Sequence, residues 1–180
     1  MHWSDIGCTQ PRLARLAQER LIDPGVVLVA TIRQDGTPRL SAVEPYVLEG
    51  ELWLSMMWQS TKARDLFRDP RILVHSVITS RDGVAGEFKI RGAAHADDDP
   101  ARQRRYADAV AADLGWNPQP GRFHLFAVDI AQLTFVSYDP GGSGDQHVAM
   151  WPPAREFIRR ATSPTSVADP EPVSDLVQAG

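Results

Sequence analysis

Turn signals centred on glycine recur at close spacing between apolar runs, and this recurrence constrains the fold more than any other feature of the chain. Gln34-Asp35-Gly36-Thr37 carries the Asp-Gly pair favoured in tight hairpins. Glu49-Gly50-Glu51 and Ser80-Arg81-Asp82-Gly83 punctuate the pattern again. Links this short join antiparallel neighbours, because a parallel pair needs a crossover of about a dozen residues or more.

The runs between these turns read as strands. Residues 26–33 are apolar almost throughout up to Ile32, which predicts a central strand buried on both faces. Residues 39–48 form the returning strand, interrupted at Pro45, which cannot donate to a ladder and marks an edge or a bulge. Residues 53–57 and 72–78 follow, then 87–94, where Phe88 and Ile90 share one face and Lys89 and Arg91 the other. Residues 123–130 and 132–138 read as two strands around Asp129, and 147–151 as a last short one. Six or seven hairpin-linked strands predict a mainly β chain folded as a closed or split antiparallel barrel with peripheral helices, rather than a doubly wound sheet.

Three helices are expected around this barrel. Residues 9–22 place Leu13, Leu16, Ala17 and Leu21 on one face and end at Asp23-Pro24-Gly25. Asp97-Asp98-Asp99-Pro100 opens a helix through Leu114 that buries Tyr106, Ala109, Val110 and Leu114. Between the strands at 53–57 and 72–78, Ser60 or Thr61 caps a short helix carrying Ala63, Leu66 and Phe67, and Asp69-Pro70 stops it. That strand-to-helix junction is an anion site in outline. Free backbone amides, the hydroxyls of Ser60 and Thr61 and the Lys62 ammonium converge at the positive end of a helix dipole.

A chain of 180 residues with 43% hydrophobic and 23% charged residues has room for one core, read as a single domain over 1–160. Residues 161–180, rich in Pro, Ser, Thr and acidic side chains, read as a tail that is mobile or crosses to a partner. The net charge of −4 argues against nucleic acid as a partner. No run approaches the roughly 18 apolar residues of a membrane span, and a cytoplasmic protein is expected. Cys8 is the single cysteine, and none of the 5 histidines has metal-ligand spacing, so no metal site and no catalytic residue is assigned. His75 and His124 read as hydrogen-bonded core histidines. Such scarce machinery leaves the hard chemistry to a bound cofactor.

Four blocks, in this order and spacing, resemble the pyridoxamine 5'-phosphate oxidase-like superfamily, the flavin-binding split β-barrels. They are Val29-Ala30-Thr31-Ile32 followed by Asp35-Gly36-Thr37-Pro38; Glu49-Gly50-Glu51-Leu52-Trp53-Leu54-Ser55; Ser60-Thr61-Lys62-Ala63-Arg64-Asp65-Leu66 with Asp69-Pro70-Arg71; and Phe88-Lys89-Ile90-Arg91-Gly92-Ala93-Ala94. The resemblance spans roughly residues 10–138 and implies a homodimer binding FMN at its interface. Ser60, Thr61 and Lys62 would hold the phosphate, with Arg39 a further candidate; Ser55 and Met56 would lie along the ring, and Trp58 would cover a ring face or enter the dimer core. Glu87 stands where the oxidases use Gln, Thr61 where they use Arg, and Glu44 reverses an expected positive charge. The C-terminal Arg/His signature of the true oxidases is missing, so the resemblance implies hydride transfer on another small molecule. Two alternatives stand beside FMN: the deazaflavin coenzyme F-420, its anionic tail met by Lys62, Arg64 and Arg39, and a non-catalytic flavin- or heme-binding protein.

Overall fold

The computed structural model describes residues 1–173. Its hairpins follow the turn chemistry. β1 (Val27–Ile32) returns as β2 (Pro38–Val43) through a turn in which the Asp35 carboxylate accepts the Thr37 amide and hydroxyl at 3.0 and 2.6 Å. β3 (Pro45–Leu48) and β4 (Glu51–Met57) flank Glu49-Gly50, and β5 (Arg71–Ser76) pairs with β1 and with β6 (Glu87–Ala96). The long β7 (Phe123–Tyr138) ties both halves together, pairing with β4, β6 and β8 (Gln146–Trp151). These strands belong to one 10-stranded antiparallel sheet that runs from β2 through β1, β5, β6 and β7, with β4 and β3 branching from β7.

The barrel is split rather than closed. Residues 39–48 are two strands instead of one interrupted strand: β2 stays with β1 as far as Val43, and β3 pairs with β4 from Pro45 onward. Pro45 offers no amide to a ladder, so the chain changes partners at Glu44-Pro45. The result is a seam between β2 and β4 with no backbone pairing.

Likewise, residues 123–138 form a single bent strand where two were expected. Arg91 pairs with Gln132 and Gly92 with Ile130, leaving Ala131 as an extra residue that bends β7 without a turn. Gly92 is required at the bend, because a β-carbon there would lie 2.2 Å from the Asp129 carbonyl oxygen.

Helices cover the barrel. α1 (Trp3–Thr9), absent from the sequence reading, buries Ile6. The expected helix at 9–22 is α2 (Pro11–Ala17) running into one π-helical turn, Gln18–Ile22; Gln10 is non-helical and Pro11 takes the first position. Leu13, Ala17 and Leu21 are buried as the periodicity predicts, with Leu16 packed at their margin. α3 (Thr61–Arg68) joins β4 to β5. α4 (Pro100–Leu114) is capped by Asp99, whose carboxylate accepts the Ala101 amide at 2.9 Å, and ends at Gly115 with φ 68°. Tyr106 and Val110 are buried as expected, but Ala107 takes the place of Ala109, and Leu114 in the frayed last turn is 62% exposed.

Of the segment read as a tail, Ala161–Ser163 (β10) and Ser166–Val167 (β11) form a small hairpin, and Glu171–Pro172 (β12) pairs with β9 (Arg155–Arg159) at the sheet edge. Residues 161–172 thus carry strand structure paired within the chain, and residues 174–180 lie outside the described residues. Among the described residues, no helix is long and apolar enough to cross a membrane.

Candidate functional site

The seam opens into a cleft of about 580 Å³, inside the range of roughly 300–1,000 Å³ common for small-molecule sites. Val26, Met56, Met57, Trp58 and Phe123 give it an apolar interior, and Ser55, Glu44 and Lys62 add polar groups. The far wall comes from the loop after α4, through Trp116, Asn117, Pro118, Gln119 and Arg122.

α3 begins at the rim of this cleft. The Ser60 amide donates to the Met57 carbonyl at 3.0 Å, and the Ser60 hydroxyl accepts the Ala63 amide at 3.4 Å. The amides of Thr61 and Lys62, in the first turn, have no intrahelical partner and point along the positive end of the helix. The Lys62 ammonium spans the seam and donates to the Ala42 carbonyl of β2 at 3.1 Å. A cation and two donors therefore meet the apolar cleft at one corner.

The other side of α3 differs. Thr61 opens onto a hollow of about 490 Å³ lined by Arg33, Arg39, Arg64 and Arg68. Asp65, 6% exposed, organises its floor: its carboxylate accepts from Arg39 Nε at 2.7 Å and from the Thr31 hydroxyl at 3.0 Å, with Arg68 at 3.6 Å. Burial alone would raise the Asp65 carboxyl, but the bonds from Arg39 and Thr31 and the two guanidinium charges outweigh it and hold the group below the usual range. Arg39 is thus engaged by a buried carboxylate.

The proposed residues consequently separate into three places. Ser55, Met56 and Lys62 line the cleft, Ser60 forms the turn at its rim, and Thr61 and Arg39 face the arginine hollow. Glu87 belongs to neither; it lies at the start of β6, three strands from the seam in the order β2-β1-β5-β6, and meets His75 Nε2 at 3.2 Å and the Lys89 ammonium. His75, expected in the core, is 22% exposed on the outer face of the sheet, its Nδ1 against the Ser76 carbonyl at 2.6 Å. Trp58 is 48% exposed and stacks on His124 with ring centroids 4.4 Å apart.

Sequence reasoning missed the loop wall. Gly115-Trp116-Asn117-Pro118 looks like a helix stop, and a tryptophan in a Pro/Gly-rich connection was the only local sign of a binding role. Tyr106 was expected to be buried, but not to lie behind the cleft near Ser55 and Glu44. Burial raises its phenol and the Glu44 charge pushes the same way, with the Ser55 hydroxyl opposing, so it stays protonated at neutral pH.

A split antiparallel barrel with a ligand-sized cleft along its seam defines a class of fold shared by many binding proteins and enzymes. Within that class, residues 13–137 match the family model described as pyridoxamine 5'-phosphate oxidase, and the chain belongs to that family. Among solved structures it is similar to a heme binding protein from Mycobacterium smegmatis, at 26% identity and a TM-score of 0.55, over 78% of this chain and 58% of that one. A conserved hypothetical protein from Mycobacterium tuberculosis aligns at 22% identity and a TM-score of 0.56, covering 67% of this chain and 81% of the other. An F420 reductase aligns at 19% identity and a TM-score of 0.51, covering 64% and 94% respectively. No curated protein matches the chain.

Proposed function

We propose that this protein is a flavin-dependent oxidoreductase that binds FMN in the seam cleft. The observation that carries the reading is the corner where the Lys62 ammonium and the free first-turn amides of α3 meet an apolar cleft of about 580 Å³. A terminal phosphate fits the corner, since a helix N-terminus and a cation favour an anion together. An aromatic ring system fits the interior: Ser55 and Met56 line it from β4 and Trp58 from the following turn. A bound flavin supplies the hydride chemistry. The chain's own residues bind and orient it, and the apolar walls exclude water.

Glu44 and Glu87 distinguish this site from that of a pyridoxamine phosphate oxidase. Glu44 places a negative charge in the cleft, which disfavours a second phosphate beside the first. Glu87 stands away from the cleft of its own subunit and reaches such a site only from a second copy. The outer sheet face provides a surface for that copy: Leu40 is 64% and Leu73 38% exposed, flanked by Leu28 and Ala30 on the paired β1. A homodimer with shared clefts follows from the reading.

A second reading keeps the fold and replaces FMN by the deazaflavin coenzyme F-420. It is favoured by the hollow beside Thr61, where the guanidinium groups of Arg33 and Arg64 are not engaged by Asp65 and suit a longer anionic tail. A third, a non-catalytic heme or flavin binder, is supported by the likeness to the M. smegmatis heme binding protein. Spectroscopic titration of the purified protein with FMN, F-420 and hemin separates the three. Saturable binding of FMN with the tightest Kd supports the first reading, and tighter binding of either other ligand replaces it.

A further inference from the structure

We propose that His124 is a positioning residue that holds the cofactor-binding turn, and that its protonation releases that turn; this rests on the flavin reading of the seam cleft. His124 lies in β7 opposite Met56 of β4 and is 7% exposed. Its Nε2 accepts the backbone amide of Gln59 at 3.1 Å, so the ring carries its proton on Nδ1 and is neutral. Gln59 needs such a partner. Its φ is 59°, in the left-handed region that a residue with a β-carbon enters at a cost.

The same imidazole fixes the residues on either side. Trp58 stacks on it at 4.4 Å with an interplanar angle of 20°, and Phe67 of α3 meets it edge-on at 4.9 Å and 86°. One ring therefore locks a wall of the cleft, the strained residue, and the helix whose first turn holds Ser60, Thr61 and Lys62. Among the described residues the β4–α3 turn has no other side-chain hydrogen bond to the sheet, and Gln59 Oε1 accepts from Arg64 of α3 at 3.3 Å.

Protonation would put hydrogens on both ring nitrogens and replace acceptor by donor, turning the Gln59 contact repulsive. Among the described residues, the charged groups that bear on the ring are Asp98, on the link from β6 to α4, and Arg64 of α3, which reaches it through Gln59. Burial holds the imidazole below its ordinary value, against the opposing pull of Asp98. The neutral, binding-competent form therefore predominates above the ordinary imidazole value of about 6.5. It is lost as the pH falls through the lower pKa of the folded protein.

The test is FMN titration from pH 5 to 8 of wild type, His124→Gln and His124→Phe. Gln retains an acceptor at every pH; Phe keeps the ring contacts and removes the acceptor. The FMN phosphate itself titrates near pH 6, and His124→Gln reports that background. The expected result is that wild type loses affinity more steeply below pH 6.5 than His124→Gln, and that His124→Phe binds about tenfold more weakly than His124→Gln at pH 7.5. Superimposable profiles for wild type and His124→Gln, or equal affinities for the two variants, overturn the proposal. Long-range proton–nitrogen NMR of the cofactor-free protein provides an independent arm. Absence of FMN binding defeats the function reading alone, whereas a proton on Nε2 at pH 7.5 defeats the turn itself.

Discussion

Replacing Arg39 by Met distinguishes a structural arginine from a cofactor ligand. In the folded protein its Nε lies 2.7 Å from Asp65, a carboxylate only 6% exposed. Removing one member of a buried ion pair costs about 3–5 kcal/mol, because the other charge is left uncompensated. Thr31 at 3.0 Å and Arg68 at 3.6 Å still face Asp65, which places the expected loss at the lower end, about 3 kcal/mol. For a chain of this size each kcal/mol lowers Tm by about 2–4 °C, so calorimetry should show a drop of about 6–12 °C. The pH dependence gives a second signature. Asp65 titrates below its ordinary value in wild type, so the stability it contributes is present above about pH 4 and is lost as the pH falls through its folded value. Without Arg39, burial is the main influence left, and the gain in stability from pH 3 to pH 5 should vanish or reverse. The double variant Arg39→Met with Asp65→Leu should recover most of the loss, since an apolar pair can replace a buried ion pair. A loss below about 1 kcal/mol with an unchanged acid limb would refute this reasoning. A large fall in FMN affinity at constant stability would return Arg39 to the cofactor site.

Gly92→Ala should destabilise the protein by about 3 kcal/mol or more in urea unfolding, because the new methyl meets the Asp129 carbonyl oxygen at 2.2 Å and backbone, unlike a flexible side chain, cannot step aside. An ordinary loss near 1 kcal/mol would mean that the β6–β7 bend is softer than its geometry indicates. Sedimentation velocity should find a dimer at micromolar concentration, and Leu40→Glu, which puts a carboxylate on the exposed apolar face of β2, should shift it to monomer. A wild-type monomer that still binds FMN would remove the shared cleft and the role given to Glu87.

Much of the fold was legible because local chemistry and global topology agree. The Asp35-Gly36 and Glu49-Gly50 turns, the Phe88/Ile90 alternation and the Asp99-Pro100 helix start each act over a few residues, and tertiary packing leaves them unopposed. What remained hidden depends on pairing between distant segments. The break between residues 130 and 132 was legible, but not that it is a bulge within one strand: β7 must serve β4 at one end and β8 at the other, so the ladder continues through Ala131 instead of turning there. Leu114 looked buried by its spacing, yet the last turn of α4 runs past the barrel. At the site, the Ser60-Thr61-Lys62 run was readable as a helix start with anion-binding character, but its division between two hollows was not. Thr61 and Lys62 are one residue apart, so they point about 100° apart around the helix and face different surroundings. Glu87 could be matched to a motif in sequence, although its place three strands from the seam emerges only from the sheet order. His124 read correctly as a hydrogen-bonded core histidine, but its partner Gln59, 65 residues away, could not be named from the sequence.

The most direct measurement of the central claim compares FMN and riboflavin binding to wild type and Lys62→Ala by fluorescence titration. On the proposed reading, Lys62 would contribute one charge-assisted bond to a phosphate at the head of α3, worth about 1.5–3 kcal/mol, which is about tenfold to a hundredfold in Kd. Its loss from the Ala42 carbonyl should cost the cofactor-free fold little, because that bond is exposed. The account predicts that the variant binds FMN at least tenfold more weakly while riboflavin, which lacks the phosphate, binds both proteins equally. Equal FMN affinity in the two proteins, or an equal loss for FMN and riboflavin, would contradict it.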